Sequence, residues 1–586
     1  MKKKYVRWTL WTIASPFILF IILCILIYLP PIQNFLVDKA AVYASEATGM
    51  NISVGRISLS FPLNLVVTNV DAASPHNDTL LSVRRLQVNV QLLPLLKKQV
   101  EVDGISLQGA TVNSNDLIHG MKLNGTLGEL FISSHGVALD PETAIVNKVL
   151  LKDTDLSLCL NDTAAVDTAA SDTTYWKIIL QDIDLQNVSF ALDMPLDSLS
   201  LAASLDNAIL RDGLIDLHKS AYSLQTFRIK NGRVRYDSGK PLAADSLSSG
   251  LDPSHIALTD IGVKLDSLYY GGRNMKAIIS QFVLKERSGV EIVSATGRMV
   301  SNDKVLRVPS LKLETRDSYL ELNAAMDWNA LDFKDEGLVS ARLMADIGKP
   351  DVVRFMGRMD EKFVRQYPSE PLRIRTGIDG DLNKLKLTTL TAELPGALGL
   401  FARGELTHLT DSLLRGGDIT LEAETKDLKF VSTLAEGIEI PYGTRLEGKF
   451  TMAGTKMGTD LLLMQPEAQA VVAADTIPIT VYNDSISVAD DFKMERAARL
   501  FAKYDLSRDR YEADLAVNHF DLHQFMPADS LYTLSTRLKV EGEGFDFFSP
   551  RTYFNAEGGI DRFHYGSYHL TGISLAAGLE KSKVHA

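Results

Sequence analysis

Residues 176–192, WKIILQDIDLQNVSFAL, show the pattern that decides the fold class. Apolar side chains fall at alternate positions, first at Ile178 and Leu180 and then at Ile183 and Leu185. A period of two predicts a β-strand with one apolar face and one polar face. Because the alternation breaks and resumes after Leu180, the stretch is expected to form more than one run of strand.

The same period recurs from Ile52 almost to the C-terminus, so the chain is predicted to be mainly β. Strict sequence repeats are not apparent, and only the succession of strand and turn repeats. Asp-Gly and Asn-Gly pairs favour tight turns between antiparallel strands. Five such pairs are predicted to be turns: Asp103-Gly104, Asn124-Gly125, Asp212-Gly213, Asn231-Gly232 and Asp379-Gly380.

Three stretches interrupt the alternation. Residues 161–174 are small and polar without any period, which predicts an exposed loop. Residues 351–366 place apolar side chains at helical spacing after Pro350, which predicts one amphipathic helix and the best internal boundary. Residues 492–504 are a second, weaker candidate for a helix.

The stretch from Trp8 to Leu29 carries no charged residue. As a helix rising ~1.5 Å per residue it is long enough to cross a hydrocarbon core of ~30 Å. The basic residues before Trp8 predict a cytoplasmic N-terminus with the bulk of the chain outside. The length of the run favours a retained anchor over a cleaved signal peptide. Helical spacing of apolar residues predicts a further, amphipathic helix at 30–49.

Composition excludes several classes of protein. A chain of 586 residues is too long for one compact core, which predicts several domains or an elongated repeat. A net charge of −12 argues against nucleic acid as a partner. The only cysteines are Cys24 and Cys159, and the first lies in the apolar run, so a disulfide framework is excluded.

No catalytic motif stands out, and the sequence predicts neither an enzyme nor a cofactor. His519 and His523 have the spacing of metal ligands on a helix, but the surrounding residues alternate like a strand. Residues 519, 521 and 523 are therefore expected on one face of a strand, without a complete ligand set.

Two architectures fit the alternation, and without further information the β-sandwich is favoured. A β-sandwich would cover the apolar faces with a second sheet, whereas a sheet curled into a trough would leave an apolar interior. Period alone does not distinguish them.

An ordered series of motifs begins after the predicted helices. It is GMNISVGRI at 49–57, FPL at 61–63, LVVTNV at 65–70, DTLLSV at 78–83, LLPLL at 92–96 and VDGISL at 102–107, with DFFSPRT at 546–552. This series resembles the start of AsmA-like proteins, and most closely their TamB-type members of the translocation and assembly module. The resemblance is specific for about the first 115 residues. The family ends in a conserved domain that is not recognisable here, so the sheet is expected to continue beyond Ala586.

The resemblance implies an elongated antiparallel β-sheet, curled like a taco around a hydrophobic groove. It also implies an inner-membrane protein that reaches across the periplasm, conducts phospholipid acyl chains toward the outer membrane and supports outer-membrane biogenesis. The expected organisation is a cytoplasmic tail at 1–7, a transmembrane helix at 8–29, an amphipathic helix at 30–49, β-groove segments at 50–345 and 370–586, and a helical interruption at 346–369. The candidate groove lining is Val100, Val102, Ile105, Leu107, Trp176, Ile178, Leu180, Ile183 and Leu185.

Two other functions stay open at this point. The chain could be an assembly factor for outer-membrane proteins that acts with a BamA-type barrel partner and carries no lipid. It could also be a structural or adhesive β-solenoid, although a solenoid should show a fixed period.

Overall fold

A computed structural model describes most of the chain after residue 50. The described residues are 39, 41, 42, 45, 50–60, 64–74, 79–91, 102–118, 121–138, 142–160, 175–239, 250–332, 337–357, 359–435, 437–466, 494, 496–546, 549, 551–580 and 583–585.

The chain divides into two compact units between Ala295 and Thr296, within strand β13 (Glu291–Ser301). The first unit contains β1 (Asn51–Ser60), β2 (Asn64–Ala73), β3 (Thr79–Val90), β4 (Val102–Ile118), β5 (Met121–Ala138), β6 (Thr143–Leu160), β7 (Lys177–Met194), β8 (Leu199–Asp216), β9 (Ala221–Leu224), β10 (Thr226–Ser238), β11 (His255–Gly271) and β12 (Asn274–Glu286).

The second unit is also built from strands. They are β14 (Val305–Thr315), β15 (Tyr319–Asp327), β16 (Leu338–Ile347), β17 (Leu372–Asp381), β18 (Lys384–Leu394), β19 (Leu398–Thr407), β20 (Gly416–Thr425), β21 (Arg445–Ala453), β22 (Lys456–Met464), β23 (Ala497–Asp505), β24 (Arg510–Asp521), β25 (Leu531–Glu543), β26 (Tyr553–Tyr565), β27 (Tyr568–Glu580) and β28 (Lys583–His585). Its helices are α1 (Trp328–Leu331), α2 (Lys349–Met356) and α3 (Glu361–Gln366), and it has short 3₁₀ turns at Lys429–Thr433 and Leu522–Gln524. A further 3₁₀ turn, Pro195–Asp197, lies in the first unit.

The prediction of a mainly β, antiparallel protein is confirmed, with one exception. Most strands pair with the next strand along the chain in antiparallel ladders, for example β1 with β2 and β14 with β15. Strands β6 and β7 instead run parallel over fifteen residues of register, from Thr143 opposite Lys177 to Cys159 opposite Asp193. A parallel pair cannot be closed by a tight hairpin, which is why a longer connection separates these two strands.

A row of residues crosses the long strands of the first unit at the point where their regular pairing is interrupted. Along this row, which we call the crease, Asn69, Gly109, Asp153, Asn187 and Asn231 adopt positive φ between 49° and 61°. On several strands two successive residues at the crease are exposed, such as Arg84-Arg85 and Lys152-Asp153. The residues beside them, Val83 and Thr154, are buried.

The crease explains the broken alternation in the sequence. Apolar positions are spaced by two on either side and by three across it, as from Leu107 to Ala110 and from Leu185 to Val188. A regular strand would send residues three apart to opposite faces. We infer that the left-handed residues compensate this offset, so that both apolar runs remain on one face.

The predicted turns at the Asp-Gly and Asn-Gly pairs are wrong, because all five pairs lie inside strands β4, β5, β8, β10 and β17. Asp212 and Asn231 do adopt the left-handed conformation that a tight turn would need, with φ of 51° and 56°. Short polar side chains tolerate this conformation. Here it changes the face to which the following side chains point, and the strand continues in the same direction instead of reversing.

Both helix predictions need correction. Residues 351–366 do not form one helix, because α2 ends before Gly357, which has φ of 77°, and α3 begins only at Glu361. Residues 497–504, predicted as helical, belong to strand β23, which pairs along its whole length with β22 and β24. Backbone hydrogen bonds to a strand on each side outweigh the helical preference that the spacing of the apolar residues indicates.

Several predicted elements lie outside the described residues, among them the transmembrane segment 8–29 with its end residues Trp8 and Leu29, and the loop 161–174. From the predicted helix at 30–49 the structure describes Lys39, Ala41, Val42 and Ser45, which are helical. Within the part of the chain that is described, no helix is long and apolar enough to span a bilayer.

The connections at one end of the second unit form a small packed core. Phe363 of α3, Tyr367, Leu394 and Phe430 are buried together. The rings of Phe363 and Phe430 meet edge to face at 5.6 Å between centroids. This cluster fixes the helices against the ends of strands β18 and β20.

A buried carboxylate ties α2 to the turn between β14 and β15. Asp351 is only 1% exposed. It accepts hydrogen bonds from Thr315 Oγ1 and from Ser318 Oγ, the latter at 2.6 Å, and pairs with Arg354 at 2.9 Å. Burial by itself raises the pKa of Asp351, but these hydrogen bonds and the Arg354 charge outweigh it and hold the pKa below its ordinary 3.8.

At the crease we expect Asn187→Ala to lower the free energy of unfolding by about 1 kcal/mol more than Asn187→Gly does. Both variants lose the hydrogen bond of 2.9 Å from Asn187 Nδ2 to Asp153 Oδ1, but only glycine adopts φ of 52° without strain. Urea unfolding of the two proteins measures the difference. Equal stability of the alanine and glycine variants would contradict a strained crease.

We expect Asp351→Asn to cost about 1–3 kcal/mol near neutral pH, because its buried hydrogen-bond donors lose a charged acceptor. Arg354 keeps its other ion pair, with Asp317 at 2.9 Å. A carboxyl whose pKa is lowered on folding stabilises the protein above its unfolded pKa and loses that effect as pH falls through the folded pKa. The stability difference between wild type and variant should therefore be full above about pH 4 and shrink below it. Chemical unfolding between pH 3 and pH 7 measures it, and a difference independent of pH would contradict an ionised Asp351.

Candidate functional site

The ladder register decides which side chains share a face. Residues directly opposite each other on paired strands point to the same side of a sheet, and successive residues on one strand point to opposite sides. Following the opposite residue from strand to strand therefore traces rows of side chains across each unit.

In the first unit two adjacent rows on one side of the crease are apolar throughout. The first row is Ile57, Val67, Leu86, Leu107, Leu130, Leu151, Leu185, Ala208, Ile229, Val263 and Phe282. The second row is Leu59, Leu65, Val88, Ile105, Ile132, Val149, Ile183, Leu210, Phe227, Leu265 and Ile279. These rows form part of a surface that we call the apolar face of the first unit.

The row between them belongs to the opposite face and has a mixed, largely polar composition. It consists of Ser58, Val66, Gln87, Ser106, Phe131, Leu150, Asp184, Ile209, Arg228, Lys264 and Gln281. Beyond the crease, the opposite face carries polar contacts. Examples are the hydrogen bond from Ser189 Oγ to Asp155 at 2.5 Å and the ion pair between Arg235 and Asp237 at 2.7 Å. The sheet of the first unit is therefore amphipathic.

The apolar face of the first unit is not covered in the way a sandwich core would be. In the second row no residue is buried: all are half-buried except Ile105, which is 36% exposed. The central side chains of a sheet packed under another sheet are fully buried. Among the described residues, no second layer therefore covers this row.

The structure brings four of the predicted lining residues together. Ile105 and Ile183 lie in the second row, and Leu107 and Leu185 lie in the first. Ile178 and Leu180 lie nearer the start of β7, beyond a second interruption at Asp212, and Trp176 comes directly before this strand. Val102 begins β4, and Val100 lies outside the described residues.

The second unit repeats this arrangement, and the sequence analysis named no residue of it. One row consists of leucines apart from four residues: Leu311, Leu322, Leu343, Thr376, Leu390, Ala402, Leu421, Gly448, Leu461, Leu500, Leu515, Leu538, Gly558 and Leu575. We call it the leucine row. The adjacent row is Leu313, Leu320, Ala345, Ile374, Ala392, Leu400, Ala423, Leu446, Leu463, Ala498, Val517, Thr536, Ile560 and Ile573.

None of the leucines in the leucine row is fully buried, and Leu575 is 44% exposed. The opposite face of the second unit carries ion pairs between strands, such as Arg375 with Asp346 at 2.7 Å and Arg499 with Asp460 at 2.6 Å. The same period-two signal that predicts the strands could have pointed to these leucines, since β14 reads SLKLE at 310–314, with Leu311 and Leu313 between polar residues.

Glycines on the apolar face of the second unit let neighbouring strands bend closely together. A Cβ at Gly404 of β19 would lie 2.2 Å from the carbonyl oxygen of Asp418, and one at Gly417 of β20 would lie 2.2 Å from that of Glu405. Carbon and oxygen cannot approach so closely. Glycine kinks of this kind are a usual source of sheet curvature.

The described residues contain no group of three or more His, Cys, Asp or Glu that could hold a metal ion. His519 has φ of 44° and contacts Asn518 and Arg562, whereas His523 lies beyond the strand in a 3₁₀ turn and packs on Tyr532. The expectation that 519, 521 and 523 share one face of a strand is thus wrong, because β24 ends at Asp521.

No protein-family model matches the chain, and no curated protein matches it either. The resemblance to AsmA-like proteins therefore rests on the motifs quoted from the sequence.

We expect Gly404→Ala to lower the free energy of unfolding by about 1–3 kcal/mol, because the new methyl group must displace the β20 backbone. Gly399→Ala is the matched control: it lies in the same strand, and a Cβ there would meet nothing within 4 Å. That variant should be neutral or slightly stabilising. Thermal unfolding compares them, and equal effects of both substitutions would contradict a close approach at Gly404.

Proposed function

We propose that the protein binds phospholipid acyl chains along its apolar faces and conducts them toward the outer membrane, in support of outer-membrane biogenesis. The observation that carries this proposal is the leucine row, whose ten leucines share one face and are not fully buried, although Ala402 and Gly448 between them are. Soluble proteins rarely leave contiguous apolar surface of more than a few hundred Å² exposed unless something binds there.

An acyl chain fits this surface chemically. It offers no hydrogen-bonding group, and each methylene moved from water to an apolar surface contributes about 0.8 kcal/mol. A row runs from strand to strand, and nearly every strand contributes an aliphatic side chain to it. The exceptions in the leucine row are the small residues Thr376, Gly448 and Gly558. A chain lying along a row can therefore move by one strand without crossing a polar barrier.

Movement of this kind requires no acid, base, metal or cofactor, and the proposed function is not enzymatic. In this proposal each sheet curls like a taco around its apolar face, and the ion-paired opposite face meets water. The segment 8–29 anchors the chain in the inner membrane with residues 1–7 in the cytoplasm and the strands in the periplasm. An outer-membrane barrel of the BamA type is the proposed partner at the far end.

The test uses two successive leucines of strand β22 that point to opposite faces. Leu461 belongs to the leucine row, whereas Leu462 lies opposite Glu447 and Arg499 on the ion-paired face. Leu461→Asp places an unpaired charge in the path of the acyl chain, which costs several kcal/mol while lipid is bound. Water can reach the carboxylate once lipid leaves an open face, so folding should be less affected than binding.

We expect the Leu461→Asp protein to lose most of its co-purifying phospholipid, measured by mass spectrometry, and to keep a cooperative thermal transition. Leu462→Asp should keep both. Leu151→Asp and Leu150→Asp of β6 form the corresponding pair in the first unit. If only the Leu461→Asp and Leu151→Asp proteins unfold, the result would contradict an open face and support a closed sandwich core. If the wild-type chain carries no phospholipid, the result would favour an assembly factor that carries none.

A further inference from the structure

Exposed aromatic side chains collect at one end of the strands in the first unit. This end contains the start of β7 and β9, the ends of β8 and β11, and the start of β12. We call the group the aromatic rim: Tyr175, Trp176, Leu217, Tyr222, Tyr269 and Tyr270.

Most of these side chains are far from buried. Tyr175 is 52% exposed, Tyr222 41%, Tyr269 41% and Tyr270 47%. Tyr222 and Tyr270 lie opposite each other in the ladder and stack at 6.2 Å between ring centroids. Tyr175 packs edge to face against His218 at 5.4 Å. Rings exposed to this extent are not part of a packed core.

The rim is continuous with the apolar face. Tyr222 and Tyr270 lie in one row with Ile178, Ile215 and Met275. The next apolar row along β11 passes through Leu268, followed by Leu265 of the second row described above. Tyr269 faces the other way, opposite Lys276, so aromatic rings stand on both faces of the same edge.

Basic side chains surround the rings. Lys177, Lys219, Arg273 and Lys276 are exposed at this end. The described acids there are Glu142 and Asp216, and Asp216 is buried. This local excess of base stands out in a chain with a net charge of −12.

We propose that the aromatic rim docks on the surface of an anionic phospholipid bilayer and forms the port through which lipid enters or leaves the apolar face. Tyrosine and tryptophan rings favour the boundary between lipid and water, and nearby lysine and arginine are attracted to anionic headgroups. With rings on both faces, the edge can enter the headgroup layer, and an acyl chain can then reach the Tyr222 row without crossing water. This proposal rests on the proposed lipid function.

The experiment measures capture of fluorescent vesicles by the full chain. The chain is placed in uncharged phosphatidylcholine nanodiscs, or bound to beads directly if it does not insert, and is offered vesicles of phosphatidylcholine with or without phosphatidylglycerol. The rim variant combines Tyr222→Ala, Tyr269→Ala and Tyr270→Ala. The matched control is Tyr442→Ala in the second unit, where Tyr442 is 70% exposed.

A second variant, Lys219→Glu with Arg273→Glu, isolates the charge. The effect of charge must be tested separately, because residues 161–174, which precede the rim in sequence, contain the acidic residues Asp162, Asp167 and Asp172. Each lysine or arginine near an anionic surface strengthens binding to it. Reversing the charge of two such residues should therefore reduce capture of phosphatidylglycerol vesicles by at least about tenfold.

We expect wild type and Tyr442→Ala to capture anionic vesicles, and both rim variants to lose capture while keeping their co-purified phospholipid. Unchanged capture by the rim variants, or equal capture of uncharged vesicles by wild type, would overturn the docking surface. So would a rim that binds a protein and no vesicle. Absence of co-purified phospholipid from every variant would instead overturn the proposed function, so the two failures are distinguishable.

Discussion

The structure depends on the register of its backbone ladders. Because side chains alternate between faces, sliding one strand by a single residue would transfer all its apolar side chains to the polar face. The register holds leucine opposite leucine through successive strands, as from Leu461 to Leu500 and Leu515. This alignment converts a simple alternation in sequence into continuous apolar rows.

The crease follows from the same constraint. The strands of the first unit are long, and β6 and β7 each span eighteen residues. At one point the spacing between apolar residues is three instead of two. The backbone must compensate for the extra residue there, because otherwise the following apolar side chains would point to the opposite face. Asn69, Asp153, Asn187 and Asn231 accept the left-handed conformation at that point, and the bond of 2.9 Å between Asn187 and Asp153 links two neighbouring strands there. The residues beside the crease, such as Ala208, are among the most buried of the unit.

Much of the fold could be predicted from the alternation alone, but its details could not. The strands follow from period two, whereas the five Asn-Gly and Asp-Gly pairs have identical local chemistry in a turn and inside a continuing strand. Only the pairing partner, which lies in another strand, distinguishes the two. The same holds for residues 497–504, whose helical spacing is overridden by pairing with β22 and β24. The parallel pairing of β6 with β7 left no recognisable sign in the sequence.

The candidate site was predictable only in part for a similar reason. Ile105, Leu107, Ile183 and Leu185 were identified as apolar strand residues, but period two describes a sandwich core and an open face equally. Burial separates them: Ile105 and the leucines of the leucine row are not enclosed in the described part of the chain. An open apolar face of this kind suits a ligand without polar groups.

The central claim is that the leucine row forms an open surface, which is covered by lipid and not by protein. Hydroxyl-radical footprinting of the delipidated full chain measures this directly, residue by residue. Leu343, Leu421, Leu461 and Leu515 should be oxidised at rates typical of half-exposed leucines, and adding phospholipid should protect them while Leu462 stays unchanged. Protection of these leucines before lipid is added would contradict the claim, because it would mean that protein already covers the row.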